Sequence, residues 1–246
     1  MRRLLPTPGP VDDDAALADA YRVPAGEHLR ANFVAALDGA TSVAGASAGL
    51  GSDGDRRVFR VLRALADAVV AGHGTTSAEG YRPLSADSPV GRLRVALGRS
   101  PTAPVVVVSA RASLDPADQL VTGAVSPTVL VTCGAADAAR RQALADAGVQ
   151  VLVCGDDDVD LPAAVAALAG RGLTRLLCEG GPSLFGSAVA AGVVDELCLT
   201  VTPLLAGGAP GLLGAHGLDD PARARLTQLL EEDGVLFTRY ALDRAS

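Results

Sequence analysis

A chain of 246 residues with a formal net charge of −7 and 49% hydrophobic residues has room for one large α/β domain with a substantial core. Only 3% of it is aromatic and there is no Trp, so that core is aliphatic and offers no stacking platform for single-stranded bases. The acidic balance and the lack of a basic run exclude nucleic acid and an anionic membrane surface as main partners.

Residues 1–27 read as an N-terminal extension with a short helix near 12–20 and no signal-peptide core. His28 to Leu37 alternates weakly and predicts a strand that ends at the turn dipeptide Asp38-Gly39. Thr41 to Ser52 is small and glycine-rich, and a loop of that length is usually functional or mobile. Ser52 or Asp53 caps a helix whose core face is Val58, Val61, Leu62 and Leu65. Ala68 to Ala71 is a short strand, followed by the segment Gly72 to Tyr81 and a helical turn or two over Val90 to Leu97.

From there strands and helices alternate. The strands are Val105–Ser109, Thr128–Thr132, Val149–Cys154 and Arg175–Cys178, and the helices are Ala135–Ala147 and Leu161–Ala169. Near-continuous Val/Leu runs of this kind are buried on both faces, which predicts a largely parallel sheet. Pro182 to about Ala191 is a helix and Glu196 to Thr202 a strand. Gly207 to Gly211 is a flexible loop, and residues 224–231 and 235–242 form a hairpin across Asp233-Gly234. The expected fold class is therefore α/β, residues 28–246 forming a mixed, mostly parallel sheet closed by an antiparallel hairpin.

No window offers about 18 uninterrupted apolar residues, so no membrane span is expected and the protein reads as cytoplasmic. Cys133, Cys154, Cys178 and Cys198 have no paired spacing and lie in or at the end of apolar runs, as buried reduced thiols do. His28, His73 and His216 are isolated from them, and no metal site is expected.

One stretch, Thr174 to Gly192, carries most of the chemistry. A buried strand ends at Glu179, Gly180 and Gly181 turn the chain, and Pro182 opens a helix in the one position where its missing N–H has no cost. Free N–H groups at a helix start make an anion site, although an ordinary strand-to-helix turn would look the same. Gly72 to Thr75 offers a second glycine-rich turn with the Thr75 hydroxyl and the Glu79 carboxylate nearby. Neither the G-x-G-x-x-G fingerprint nor a P-loop is present. Ser109 and Arg111 follow a parallel strand, and an arginine so placed can fork onto the 2′-phosphate that distinguishes NADPH from NADH, or can simply be a solvated loop residue. Asp38 and Glu179 end two strands, and a carboxyl pair at one sheet edge can bind a heterocycle or supply a proton.

Four segments together resemble a known family. They are Asn32-Phe-Val-Ala-Ala-Leu-Asp-Gly39, the run from Arg56 to Asp67 with Gly74-Thr75 and Ala78-Glu79, Glu179-Gly-Gly-Pro-Ser183 with Val194-Asp-Glu-Leu197, and Glu232-Asp-Gly-Val-Leu-Phe237. This pattern is similar to the reductase domain of the bacterial riboflavin-biosynthesis deaminase/reductase and its stand-alone relatives. It covers about residues 28–242.

The resemblance implies a dihydrofolate-reductase-like, three-layer α/β/α fold, NADPH as hydride donor, and usually a homodimer. The implied substrate is a phosphoribosylated aminopyrimidine, and hydride transfer to C1′ of its ribose would give a ribitylamino product. By matching position it places Asp38 and Glu179 at the substrate as the catalytic carboxylates, with Asn32, Ser47 and Arg82 binding substrate and Arg56 a further candidate for its phosphate. Gly49, Thr75, Glu79, Ser109 and Arg111 match cofactor positions, as do Gly180, Gly181, Pro182, Ser183 and Leu184 around the helix start. Many members carry Lys where this chain has Asn32 and Ser where it has Ala36. The zinc-deaminase motifs H-x-E and P-C-x-x-C are absent, so the reductase half alone is expected. Two further readings follow from the departures: a reductase of the same fold acting on a pterin such as dihydrofolate, and an NADPH-binding protein without turnover.

Overall fold

Side-chain caps start most of the helices of this protein. The computed structural model describes residues 1–23, 25–43, 47–207, 211–215, 217–218 and 220–243. His216, and residues 44–46 and 208–210 of the two loops expected above, lie outside the described residues. In chain order the elements are β1 (Arg2–Leu5), β2 (Gly9–Pro10), α1 (Asp14–Ala20), β3 (His28–Ala36), a 3-10 turn at Ser47–Gly49, α2 (Asp53–Leu65), β4 (Ala68–Gly72), α3 (His73–Ala78) and α4 (Pro89–Ala96). They continue with β5 (Val105–Val108), α5 (Gln119–Thr122), β6 (Val129–Thr132), α6 (Ala138–Asp146), β7 (Gln150–Val153), α7 (Leu161–Ala169), β8 (Arg175–Cys178), α8 (Pro182–Ala190), β9 (Glu196–Thr202), β10 (Ala224–Glu232) and β11 (Val235–Leu242).

Asp13, Ser52, Ser88, Asp118, Asp137 and Asp160 each accept a backbone N–H at the start of the helix that follows, satisfying donors that have no partner inside the helix. The helices α3 and α8 differ. Their caps are Gly72 and Gly181, with no side-chain hydrogen bond.

All eleven strands join one sheet in the order β2-β1-β10-β11-β9-β3-β8-β4-β5-β6-β7. The run from β9 to β7 is parallel, and β11, β10, β1 and β2 extend it antiparallel. In the parallel part alternate residues serve two cores: Val106 packs with α7 and α8, while Val105 and Val107 pack with α5 and α6 on the other face. Toward the antiparallel edge α1 and α2 cover Cys198, Leu230 and Phe237. The architecture is thus the three-layer α/β/α arrangement anticipated from the resemblance, with a mixed, mostly parallel sheet. Asp233 and Gly234 both take positive φ, 52° and 79°, which closes the β10–β11 hairpin with the twist that suits its strands.

One local expectation is corrected. The stretch after Gly72 is not a turn but the helix α3, with Glu79 as its C-cap. In the first 27 residues the helix expected near 12–20 is α1, and two short strands accompany it, β1 pairing antiparallel with β10. Leu17 and Tyr21 of that segment are fully buried. A charge cluster ties it down: Glu196 binds Arg30 and, at 2.6 Å, Arg239, and these arginines donate to the carbonyls of Tyr21 (2.8 Å) and Ala20 (3.1 Å). Burial opposes the Glu196 charge, but His28, Arg30 and Arg239 outweigh it and hold the carboxyl at about 2. All four cysteines are buried with free thiols. No helix among the described residues is long and apolar enough to cross a membrane.

Candidate active site

A cleft of about 630 Å³ opens where the carboxyl ends of β3 and β8 meet one side of α2 and the end of α3. This is the edge of a parallel sheet where ligands are expected, and the volume is that of a small-molecule site. Asp55, Phe59 and Arg63 lie four residues apart on α2, so one stripe of that helix faces the cleft while Val58, Val61 and Leu62 face the core.

Glu179 is the buried centre of the site, its side chain only 2% exposed. Arg63 forks onto it, Nε to Oε1 and Nη2 to Oε2, both at 2.7 Å, and the Tyr81 hydroxyl donates to Oε2 at 2.6 Å. The guanidinium also lies over the rings of Phe59 (4.3 Å) and Tyr81 (5.2 Å), which adds cation–π attraction. Burial works against the Arg63 charge, but Glu179 outweighs it and keeps the guanidinium firmly protonated. Burial and then the Glu179 charge push the Tyr81 phenol well above its ordinary value, so it remains a donor. The carboxylate is thus held by one bidentate ion pair and one phenol.

Asp55 stands in contrast. It lines the same cleft, its side chain hydrogen-bonds Thr200 of β9, and burial pushes its carboxyl above the usual range, with Thr200 and the Arg56 charge offsetting part of this. Arg56 itself pairs with Asp53. Asn32 lines the cleft with its Oδ1 buried and without a hydrogen-bond partner, so the site holds one unspent acceptor.

The turn after β8 is packed too tightly for side chains. Gly180 has φ +86°, and a Cβ there would lie 2.9 Å from the Phe33 ring; a Cβ on Gly181 would lie 2.5 Å from Thr75 Oγ1. The peptide between these glycines is cis. The uncapped start of α8 therefore sits against α3, and Gly214 packs on it from outside, its own added Cβ falling 3.3 Å from the Ser183 nitrogen.

Of the residues singled out in the sequence, Asn32, Ser47, Thr75, Glu79, Arg82, Glu179, Gly181 and Pro182 come together in this cleft. Ser47 is tied across it to Glu79, its N–H and hydroxyl donating to Oε1 at 3.3 and 3.1 Å. Asp38 is not in the lining. Its exposed carboxylate accepts from Gly207 (2.6 Å) and Ala40 (3.3 Å), and these bonds hold it below the usual carboxylate range.

Gly49 packs on Val43, Gly180 and Ser183 are not among the residues lining the cleft, and Leu184 faces a small apolar gap of about 30 Å³ under α8. Ser109 accepts from the Ser113 N–H at 3.0 Å, and Arg111 is exposed without an ion pair among the described residues. Both belong to the end of β5, two strands away from β8. Sequence reasoning missed Asp55, Phe59, Arg63 and Tyr81. The i, i+4, i+8 spacing of the first three was the available signal.

The RibD C-terminal domain matches residues 27–234. The chain belongs to this family. It is 32% identical over 197 residues to the 2,5-diamino-6-ribosylamino-4(3H)-pyrimidinone 5′-phosphate reductase of Methanothermobacter thermautotrophicus, covering 78% of this chain and 86% of that one. It is 28% identical over 204 residues to the riboflavin biosynthesis protein RibD of Bacillus amyloliquefaciens, 80% of this chain but only 52% of RibD. The chain thus spans about half the length of that RibD. A pyrimidine reductase-like protein of Corynebacterium diphtheriae has the same fold with a TM-score of 0.77 at 28% identity, over 89% of this chain and 93% of the other.

Proposed function

We propose that this RibD-family chain is an NADPH-dependent reductase of the riboflavin pathway, acting on a ribosylaminopyrimidine 5′-phosphate of the kind named for its archaeal relative. The observation that carries the reading is the cleft itself, where the uncapped start of α8 and the buried Glu179 are adjacent in one turn, within a chain that covers most of a reductase of that name.

The residues present fit a phosphate-bearing dinucleotide. Gly181, Pro182 and Ser183 open a helix of nine residues without a side-chain cap, Thr75 offers a hydroxyl beside it, and Arg111 has no carboxylate partner among the described residues. Such a cofactor, when bound, supplies the hydride. The chain's own work is to hold the substrate carbon against it. On the substrate side Arg56 and Arg82 suit the 5′-phosphate, and the unpaired Asn32 Oδ1 accepts an N–H of the heterocycle. Ser47, bonded to Glu79, closes the glycine-rich loop toward the site.

A cytoplasmic setting agrees with four free thiols. A homodimer agrees with exposed Leu37, Leu204 and Leu205, where the Leu37 N–H donates to the Leu204 carbonyl at 2.8 Å. The experiment is NADPH oxidation followed by absorbance with the ribosylaminopyrimidine phosphate and with dihydrofolate. Oxidation with the first is expected. Oxidation with dihydrofolate alone would replace the substrate, and no oxidation with either would leave only cofactor binding.

A further inference from the structure

Reduction of the ribose at C1′ needs a proton as well as a hydride, and the cleft holds three carboxylates that could give it: Glu79, Glu179 and Asp55. Glu79 is exposed and engaged with Ser47. Glu179 is bound to the permanent cation of Arg63 and accepts from Tyr81, so its oxygens are already engaged. Asp55 has neither arrangement. It sits in the third position of α2, with its backbone N–H taken by Ser52, and its side chain is left with Thr200 as its hydrogen-bond partner. Two carboxyl groups in one cleft, one bound by a bidentate ion pair and one half-buried with no ion pair among the described residues, divide naturally into acceptor and donor.

We propose that Asp55 is the proton donor of this site, and that Arg63 and Tyr81 are positioning residues that hold Glu179 as an acceptor. The assignment rests on the reductase reading above. As the C1′–O4′ bond breaks, the Asp55 carboxyl proton passes to O4′, the nitrogen lone pair forms the C1′=N bond, and C1′ is left as the carbon that takes the hydride. Solvent then reprotonates Asp55 through the open cleft.

The charged groups around Asp55 are few. Arg56 and Asp53 share its helix and pair with each other; Glu232 of β10 lies behind it at Gly54, and β9 presents Thr200. Arg63, Arg82, Glu79 and Glu179 line the cleft with it. The Arg56 charge and the positive end of α2 favour the anion, and burial overrides them.

The test is Asp55→Asn, which keeps the shape and the Ser52 cap. Two readouts separate the role from the activity. In the first, the carboxyl carbons of 13C-aspartate-labelled protein are titrated by NMR without cofactor. One resonance, absent from Asp55→Asn, is expected to titrate above the ordinary aspartate range. In the second, pH profiles of turnover are compared. The unaltered chain is expected to lose rate as pH rises through that titration. The variant should lose on the order of 100-fold in kcat and the titrating limb with it, while Kd for NADPH does not change.

An Asp55 resonance in the ordinary range, or a variant that keeps both rate and profile, overturns the assignment while leaving the reductase intact. Failure of the unaltered chain to oxidise NADPH with the ribosylaminopyrimidine phosphate overturns the reductase reading, and this role with it.

Discussion

Asp67 joins the end of α2 to the start of β8, and its removal has a calculable cost. Its Oδ2 accepts from the backbone N–H groups of Arg175 (2.7 Å) and Thr174 (3.1 Å), while Oδ1 pairs with Arg99 and, at 3.1 Å, with Arg175. Its side chain is 12% exposed, so these bonds are little screened. Burial alone would raise the carboxyl, but the Arg175 and Arg99 bonds win and move it from 3.8 to about 2. That displacement corresponds to about 2.4 kcal/mol at neutral pH.

The folded value is depressed, so the stabilisation is present above 3.8 and is lost as pH falls toward 2. Between these limits, at pH 3, about 1.3 kcal/mol should remain. Asp67→Asn keeps an acceptor for the Arg175 N–H and loses the charge. It is therefore expected to cost about 2 kcal/mol at pH 7 and to lower Tm by roughly 4–8 °C. Urea unfolding followed by far-UV circular dichroism at pH 7, 5 and 3 measures the gap between the two proteins. A gap that is the same at pH 3 as at pH 7, or absent at pH 7, would refute the reasoning, because neither is compatible with a depressed carboxyl as the source.

Gly181→Ala should destabilise by about 1–3 kcal/mol through overpacking on Thr75, and the cost should largely vanish in a Thr75→Ala background. A double-mutant cycle in urea gives the coupling, and equal costs in both backgrounds would place the clash elsewhere. Arg111→Ala should raise Kd for NADPH by about 10-fold or more and leave NADH nearly unchanged. Equal losses by calorimetry would remove Arg111 from the 2′-phosphate.

The parallel half of the fold was readable because its signals are local. Leu161–Ala169, Arg175–Cys178 and Glu196–Thr202 are helix and strands at the predicted residues, each a short apolar run bounded by Pro, Gly or Asp. The N-terminal strand was not readable. Arg2–Leu5 is half exposed, and its partner β10 lies more than 200 residues away, so only tertiary pairing makes it a strand. The short helix α3 hides behind a sequence, His73 to Ala78, that is rich in Gly, Thr and Ser and poor in helix propensity.

The cleft shows the same division. Asn32, Thr75, Glu79 and Glu179 carry visible motif positions, and they do meet. Arg63 and Tyr81 are unremarkable until a carboxylate from another element, 116 and 98 residues further along, gives them a role.

The turn Glu179-Gly180-Gly181-Pro182 was expected to divide its work, with the carboxylate toward substrate and the helix start toward cofactor. The turn itself is packed tightly on both sides. Neither glycine can carry a side chain, because Phe33 fills the space beside one and Thr75 the space beside the other. The backbone is therefore pressed between β3 and α3, and Glu179 carries the turn's one charged side chain into the cleft. There it meets α2 through Arg63 and the segment after α3 through Tyr81. A single carboxylate thus fastens three elements at the point where the site forms. Weakening it loosens the fold and the cleft together, so a loss of activity on changing Glu179 cannot by itself identify a proton donor. The Asp55 side chain hydrogen-bonds Thr200 and makes no ion pair among the described residues, so Asp55→Asn tests the proposed proton donor while leaving the Glu179–Arg63 link in place.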